Sequence, residues 1–398
     1  MRPPTAAVLT VGCRLNQSES DALRRRLALQ GVALVDAPEQ ADTCYVNTCT
    51  VTAQADRSSV QMIRRACRLH SQPRVVVLGC LAQRHPEQVR GIPGVREVWS
   101  NERKQAEIAD VEPAPVRSRA ILKVQDGCSR RCSYCVVSAL RGEPQSVPAR
   151  RVKGQFESLL AAGFHEVVLT GLNLGLYLDG DTTLAGLLSG LLESCNNARI
   201  RLASIEPDTI DEALVALMSE ARVCPHFHIP LQSGDDAVLG QMSRPYRALD
   251  VERLVGRILK VRPEANVGMD VIVGFPGETD DAFERTRHFV AAMPVGYLHV
   301  FPFSPRPGTE AACRGASAPA KVVRERVREL RAFSDRRRQE YQARFVGTVR
   351  PAIVETSRTA LTDNYLRLSV ACAVNLAPRA LVALRVGQKG QGLTGCPC

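Results

Sequence analysis

Three short apolar runs in the first eighty residues each lead into a cysteine, and this repetition constrains the fold more than any other feature of the chain. Ala6 to Val11 leads into Gly12-Cys13, Thr43 to Thr48 into Cys49, and Arg74 to Leu78 into Gly79-Cys80. Polar, helix-forming segments separate them, the first opening near Ser18. Short apolar runs alternating with helices predict a parallel sheet with helices on its faces. In open sheets of this kind ligands bind beyond the carboxyl ends of the strands. Cys13, Cys49 and Cys80 should therefore meet at one sheet edge, although they are far apart in sequence. Taken singly, each reads as a small buried residue at a strand end, as Cys44 and Cys67 do, because free cysteine is among the most buried residue types. Taken together at equivalent strand ends, they are candidate ligands of an iron–sulfur cluster with one iron left open.

A second cysteine group is local. Cys128, Cys132 and Cys135 stand at C-x-x-x-C-x-x-C spacing in the polar, positively charged stretch Asp126-Gly-Cys-Ser-Arg-Arg-Cys-Ser-Tyr-Cys135. Thiolates this close converge on a soft metal centre. A closed structural zinc site takes four ligands, and a fourth is missing nearby. In an iron–sulfur cluster, three cysteines leave one iron free to bind a substrate or cofactor.

At 398 residues the chain is too long for one ordinary core, so two or three domains are expected. Hydrophobic content of 45% and charged content of 23% are those of a soluble globular protein. No uninterrupted apolar run reaches spanning length, and Met1-Arg-Pro-Pro-Thr5 runs straight into an apolar strand rather than a signal peptide. A cytoplasmic protein without a membrane partner is expected. In that compartment the 14 cysteines are ligands and core residues rather than a disulfide framework. The formal net charge of +11 favours a polyanionic partner.

The proline- and charge-rich stretch around Val111-Glu-Pro-Ala-Pro-Val116 reads as a linker. It divides an α/β N-terminal domain, 1–110, from a second α/β region, with 111–119 as the connection. From 120 to 338, strands are expected at Ile121 to Gln125, Glu166 to Thr170, Ile200 to Ser204, His226 to Pro230, Val267 to Val273 and Tyr297 to Pro302. Helices between them start near Arg151, Leu184, Ile210, Asp250 and Asp280, a pattern that predicts a partial parallel (βα)6 barrel with its site at the carboxyl ends of the strands. A helix from Ala320 to Phe345 carries nine Lys or Arg against four Asp or Glu. Its block Arg336-Arg337-Arg338 is either a solvated face or a phosphate-facing one. From 339 to 398, the short runs Pro351 to Val354, Leu366 to Ala371 and Leu381 to Val386 predict a small antiparallel β-barrel. Cys396 and Cys398 fall in a tail expected to fray, without a role.

The spacing of Cys128, Cys132 and Cys135, with Tyr134 before the last, resembles the cluster motif of the radical S-adenosylmethionine (SAM) enzymes; its three-residue first gap sets it apart from ordinary zinc-binding C-x-x-C pairs. Thr10-Val-Gly-Cys-Arg-Leu-Asn-Gln-Ser-Glu-Ser20, Asn47-Thr-Cys-Thr-Val51 and Leu78-Gly-Cys80 resemble the N-terminal domain of one family among them, the methylthiotransferases. This resemblance covers nearly the whole chain. It implies two 4Fe-4S clusters, one on each triad, and the chelation of SAM by the open iron at Cys128, Cys132 and Cys135. An external electron donor such as a flavodoxin or ferredoxin then drives SAM cleavage to a deoxyadenosyl radical, which removes hydrogen from an unactivated carbon. The cluster on Cys13, Cys49 and Cys80 supplies a methylated sulfur, and two SAM molecules are consumed per turnover.

The same resemblance carries SAM contacts onto Gly171, Asn173, Glu206 and Gln232, each at or after a strand end; ordinary caps and turns are the other reading of these residues. Arg141-Gly-Glu-Pro-Gln-Ser-Val-Pro148 is similar to the family segment after the cluster, except that the family often has a further arginine where Gln145 stands. His226 and His228 alternate on a strand and share a side, but the family carries the run Phe227-His-Ile-Pro-Leu-Gln-Ser-Gly234 without a histidine-bound metal. The C-terminal barrel resembles a TRAM domain, most clearly at Leu361-Thr-Asp-Asn-Tyr-Leu-Arg367. That implies RNA contacts from Tyr365 and Arg367, with a core aromatic as the other reading of Tyr365.

Three branches of the family differ in substrate: threonylcarbamoyladenosine in tRNA, isopentenyladenosine in tRNA, and an aspartate of a ribosomal protein. The motifs at Thr10–Asn16, Thr170–Gly175, Ser204–Pro207 and Thr362–Leu366 look most like the first, the MtaB type, which implies the anticodon stem-loop as partner and a 2-methylthio product at position 37 of tRNA. A non-catalytic iron–sulfur protein that binds RNA or carries electrons is the alternative from another class. It gains nothing from an open iron.

Overall fold

The computed structural model describes residues 2–109, 111, 116–195, 197–315, 318–370, 376–390 and 392–397. Strands β1 (Thr5–Thr10), β2 (Ala33–Leu34), β3 (Thr43–Thr48), β4 (Arg74–Gly79) and β5 (Val95–Val98) form one sheet in the order β2-β1-β3-β4-β5. Every pair in it is parallel. Alternation along the strands divides the apolar residues between two faces. Cys44, Val46, Val75 and Val77 pack on one side with Ile63 and Ala66 of the helix Ala53–Cys67. Val8, Val76 and Leu78 pack on the other with Leu23 and Leu27 of the helix Arg14–Leu29. The expected sheet is present, and it gains two short edge strands, β2 and β5. Cys44 is fully buried in the core and Cys67 is half-buried against it.

Residues 112–115 of the expected linker lie outside the described residues. Beyond it, β6 (Ala120–Lys123), β7 (Glu166–Thr170), β8 (Arg199–Leu202), β9 (His226–His228), β10 (Asn266–Val273) and β11 (Tyr297–Pro302) pair in parallel. The six strands expected are there, but they hydrogen-bond as two sheets, β8-β7-β6 and β9-β10-β11, rather than as one. An isolated bridge between Ile200 and Val223 and the bond from Ile205 N to His228 O (3.0 Å) join the two halves. Pro225 and Pro230 flank β9 and have no N–H to extend the ladder. Val167, Leu169, Ile200, Leu202, Val267, Met269 and Val271 face outward under the helices Ala149–Ala161, Leu184–Ser194 and Ala248–Val261. The alternate positions, among them Glu166, Arg201, His226, His228, Asp270, Tyr297 and His299, give the barrel a polar interior.

The helix Ala320–Ala343 passes the expected boundary at 338 and is pinned to β11 by Ser334, whose hydroxyl accepts from Leu298 N (2.8 Å) and donates to Leu298 O (3.0 Å). Strands β12 (Val349–Thr356), β13 (Thr359–Thr362), β14 (Arg367–Val370), β15 (Leu381–Lys389) and β16 (Gly392–Pro397) then close a barrel. It departs from the antiparallel expectation at one seam, where β14 and β16 run parallel. The end of the chain is not a frayed tail. Cys396 stands in β16 opposite Arg385, held by the β15–β16 ladder, while Cys398 lies outside the described residues. Among the described residues no helix is long and apolar enough to cross a membrane.

Candidate functional site

Cys13, Cys49 and Cys80 do come to one edge of the N-terminal sheet, and close backbone packing brings them there. A Cβ on Gly12 would stand 2.7 Å from Cβ of Cys49, and one on Gly79 would stand 2.4 Å from both Asn47 Oδ1 and Thr48 O. Both glycines also have left-handed φ, +117° and +94°, which other residues adopt only at a cost. The buried Asn16 ties the loops together: its Nδ2 donates to Val11 O (3.0 Å) and to Thr48 O (2.9 Å). Thr48 Oγ1 donates in turn to Leu78 O (2.6 Å), and Asn47 Nδ2 donates to Asn16 O (3.0 Å). Burial, and then the nearby Cys13 and Cys80, push the Cys49 thiol up to about 11.

The donor set of this triad is all thiol, which suits an iron–sulfur cluster. Among the described residues, one group of three His, Cys, Asp or Glu has its ligand atoms all within 4.8 Å of one another, and that group is His228, Asp270 and His299. Neither cysteine triad is such a group. Each triad offers three thiols, and that donor chemistry is what the iron–sulfur cluster implied by the resemblance would need.

The loop of Cys128, Cys132 and Cys135 hangs beyond the strand ends of the central barrel. Gly127 makes its first turn, with φ of +72° and no room for a Cβ, which would stand 1.9 Å from Glu143 O. Ser133 anchors the middle of the loop, donating from Oγ to Gln241 O (2.7 Å). Tyr134 packs edge-on to the buried Phe275, with centroids 6.3 Å apart.

Two of the four SAM candidates reach this loop. Asn173 Nδ2 lies 3.8 Å from Cys128 Sγ, and its buried Oδ1 has no partner among the described residues. Glu206 is ion-paired with Arg244, whose Nη1 donates to Cys132 Sγ at 3.2 Å. An open acceptor and a carboxylate beside the cysteines suit the amino group of SAM. Gly171 has a packing role, since a Cβ there would meet Gln125 Oε1 at 2.8 Å. Gln232 bridges to Val271 at the end of β10 with φ of +71°, a conformation costing on the order of 1–3 kcal/mol outside glycine.

Sequence reasoning assigned no role to Arg244 or Arg141. Arg244 has no sequence signal. Arg141 opens the segment after the cluster motif, at the end of the helix Val137–Arg141, and reaches across to the N-terminal domain. It donates to Asn16 Oδ1 (3.0 Å), Glu19 Oε1 (2.9 Å) and Asp126 Oδ2 (3.0 Å). Lys104 also binds Glu19, at 2.9 Å. Asn101 Nδ2 donates to Leu140 O at 2.8 Å, so the strand ends bearing Cys80 and the loop bearing Cys135 are locked face to face. Gln145 is instead exposed, in a two-residue ladder opposite Asp126.

The RNA candidates divide. Arg336 and Arg338 are exposed, Arg338 paired with Asp335 at 3.3 Å, whereas Arg337 is drawn in by Met293 O at 2.6 Å. Arg367 is 70% exposed and pairs with Glu355 at 3.3 Å. Tyr365 has the core reading: its ring stacks on His226 with centroids 4.0 Å apart, and Arg201 lies over it at 5.1 Å. Around it, Arg199 and Arg201 donate to Leu361 O (3.1 Å) and Thr362 O (3.2 Å), so this segment of the C-terminal barrel caps the amino ends of the central strands.

Residues 5–100 match the family described as uncharacterized protein family UPF0004, and residues 122–290 match the radical SAM superfamily. The chain is 35% identical over 386 residues to the threonylcarbamoyladenosine tRNA methylthiotransferase MtaB of Aquifex aeolicus, covering 90% of this chain and 94% of that one. It is 34% identical over 404 residues to the protein of the same name from Bacillus subtilis, covering 92% and 90%. Among solved structures, the radical SAM methyltransferase TsrM from Kitasatospora setae superposes with a TM-score of 0.58 at 16% identity, over 78% of this chain and 77% of that one. That likeness is one of fold.

Proposed function

Since the chain belongs to the MtaB-type radical SAM methylthiotransferases, we propose that it converts threonylcarbamoyladenosine of tRNA to its 2-methylthio derivative in the anticodon stem-loop. The observation that carries this reading is the pair of cysteine triads joined through Arg141 and Asn16. Bound on these triads, two iron–sulfur clusters and SAM supply a radical for hydrogen removal and a sulfur for insertion.

The residues of the chain do the positioning. Asn173 and Glu206 are placed to hold the amino end of SAM beside Cys128 and Cys132. Arg141, Glu19 and Asp126 keep the two cysteine sites in register. The carbon to be modified has no acidic hydrogen, so no general base is required for its activation. The exposed Arg336, Arg338 and Arg367 are the candidates for phosphate contacts, since the excess of positive charge suits a polyanion. Electrons must come from an external donor such as a flavodoxin or ferredoxin.

Mass spectrometry of nucleosides from total tRNA, with and without this gene, tests the proposal. Loss of the methylthio form with a rise of threonylcarbamoyladenosine is expected. Loss of the isopentenyladenosine derivative would move the protein to the second branch, and an unchanged profile would remove tRNA as substrate.

A further inference from the structure

The interior of the central barrel holds a hydrogen-bonded chain of side chains that neither cysteine triad uses. Gly268 makes room for it, because a Cβ there would stand 2.0 Å from Cζ of Tyr297. The Tyr297 hydroxyl lies 2.8 Å from His226 Nε2 and 3.1 Å from His228 Nδ1. His228 Nε2 lies 2.9 Å from Asp270 Oδ1, and His299 Nδ1 lies 3.3 Å from the same oxygen.

The protons can be counted along this chain. Among the described residues His226 Nδ1 is buried without a partner, and a bare lone pair there costs less than an orphaned N–H. His226 Nε2–H then donates to Tyr297, Tyr297 O–H to His228 Nδ1, and His228 Nε2–H to Asp270. Asp270 also accepts from His299 Nδ1–H. Among the described residues the loose end is Nε2 of His299, on a side chain 52% exposed.

Two residues further along the same face of β11, Phe301 is 41% exposed, and its ring lies 6.3 Å from that of His299. The segment after β11 docks on the loop after Cys49. Ser304 Oγ accepts from Ala53 N (3.0 Å), and Arg306 Nη2 donates to Thr50 Oγ1 (3.0 Å). An exposed aromatic and an exposed imidazole therefore stand on the strand whose following segment docks on the loop after Cys49.

We propose that Phe301 and His299 form the subsite that reads the target nucleoside, with Asp270 as the positioning residue. Phe301 stacks on the adenine, and His299 Nε2 accepts a hydrogen bond from the carbamoyl N–H or threonine O–H of the arm on N6. This rests on the proposed tRNA reading and goes further, naming what separates a polar arm from an apolar one. An isopentenyl arm has neither donor and would leave the imidazole nitrogen desolvated and unpaired, whereas stacking on Phe301 is indifferent to the arm.

The test uses holoenzyme with both clusters and two synthetic anticodon stem-loops, one with threonylcarbamoyladenosine and one with unmodified adenosine at the same position. Wild type is expected to bind the modified loop about 10-fold or more tighter and to form its methylthio product. His299→Leu should bring that ratio down to about 1–2, through loss of affinity for the modified loop, and His299→Gln should retain part of it. His299→Ala serves should the leucine variant fail to load its clusters. A ratio unchanged in these variants, including an equal weakening on both loops as a purely structural role would give, overturns the inference. A wild type that forms no methylthio product from the modified loop overturns the proposed function instead.

Discussion

Arg141 Nη1 lies 2.9 Å from Glu19 Oε1, and both side chains are almost wholly buried. One comes from the helix after the Cys135 loop and the other from the helix after Cys13, so an ion pair spans the gap between the two cysteine sites. Burial pushes the Glu19 carboxyl up, but Arg141, Lys104 and Lys123 together pull it further down, to well below its usual 4.5. Its contribution to stability is complete above pH 4.5 and is lost as the pH falls through the depressed value.

Arg141→Met should therefore destabilise the protein by about 3–5 kcal/mol, the usual cost of stranding a buried charge. Glu19→Gln should flatten the loss of stability on the acid side. Urea denaturation of both variants between pH 3 and 8 measures the two effects. A change under about 1 kcal/mol for Arg141→Met would show that the pair is dispensable.

Ligand and core cysteines should separate cleanly in metal content. Replacing Cys13, Cys49 or Cys80 by alanine should remove roughly half of the bound iron and sulfide, as expected for one of two equal clusters. Cys44→Ala and Cys67→Ala should leave it intact, because those thiols pack in the core. Iron and sulfide assays on anaerobically reconstituted protein decide this.

Asp21 behaves in the opposite sense to Glu19. Burial raises its carboxyl to about 6, against the opposing pull of Arg24 and Arg117. A raised carboxyl favours the folded state while protonated and costs stability as the pH rises from the ordinary 3.8 through 6. Asp21→Asn should accordingly stabilise the protein at pH 8 by about 1–3 kcal/mol, and the gain should vanish below about pH 4. Melting curves across that range test it.

Arg336→Ala with Arg338→Ala should weaken tRNA binding and reduce the slope of log affinity against log salt by about 2. Tyr365→Leu should instead lower stability, since its ring is stacked on His226 and lies beneath Arg201. Filter binding at several salt concentrations, set beside thermal melts, distinguishes the two. An RNA defect in Tyr365→Leu without a loss of stability would return that residue to the RNA surface.

The sequence by itself determined what depends on local pattern. Alternation of strand and helix located the parallel strands, and the cysteines that follow β1, β3 and β4 were placed on one edge, because parallel strands present all their carboxyl ends together. The spacing of Cys128, Cys132 and Cys135 specified the second group within ten residues. Tertiary structure decided the rest, because it rests on contacts between residues with no common periodicity. Arg141 meets Glu19 across 122 residues, Arg244 meets Cys132 across 112, and the last strand pairs in parallel with β14 only once the barrel has closed. Tyr365 shows why such contacts are not legible in advance. A tyrosine in a polar turn has the same local signature whether it faces RNA or another domain, and only the arrival of His226 and Arg201 from the central barrel selects between them.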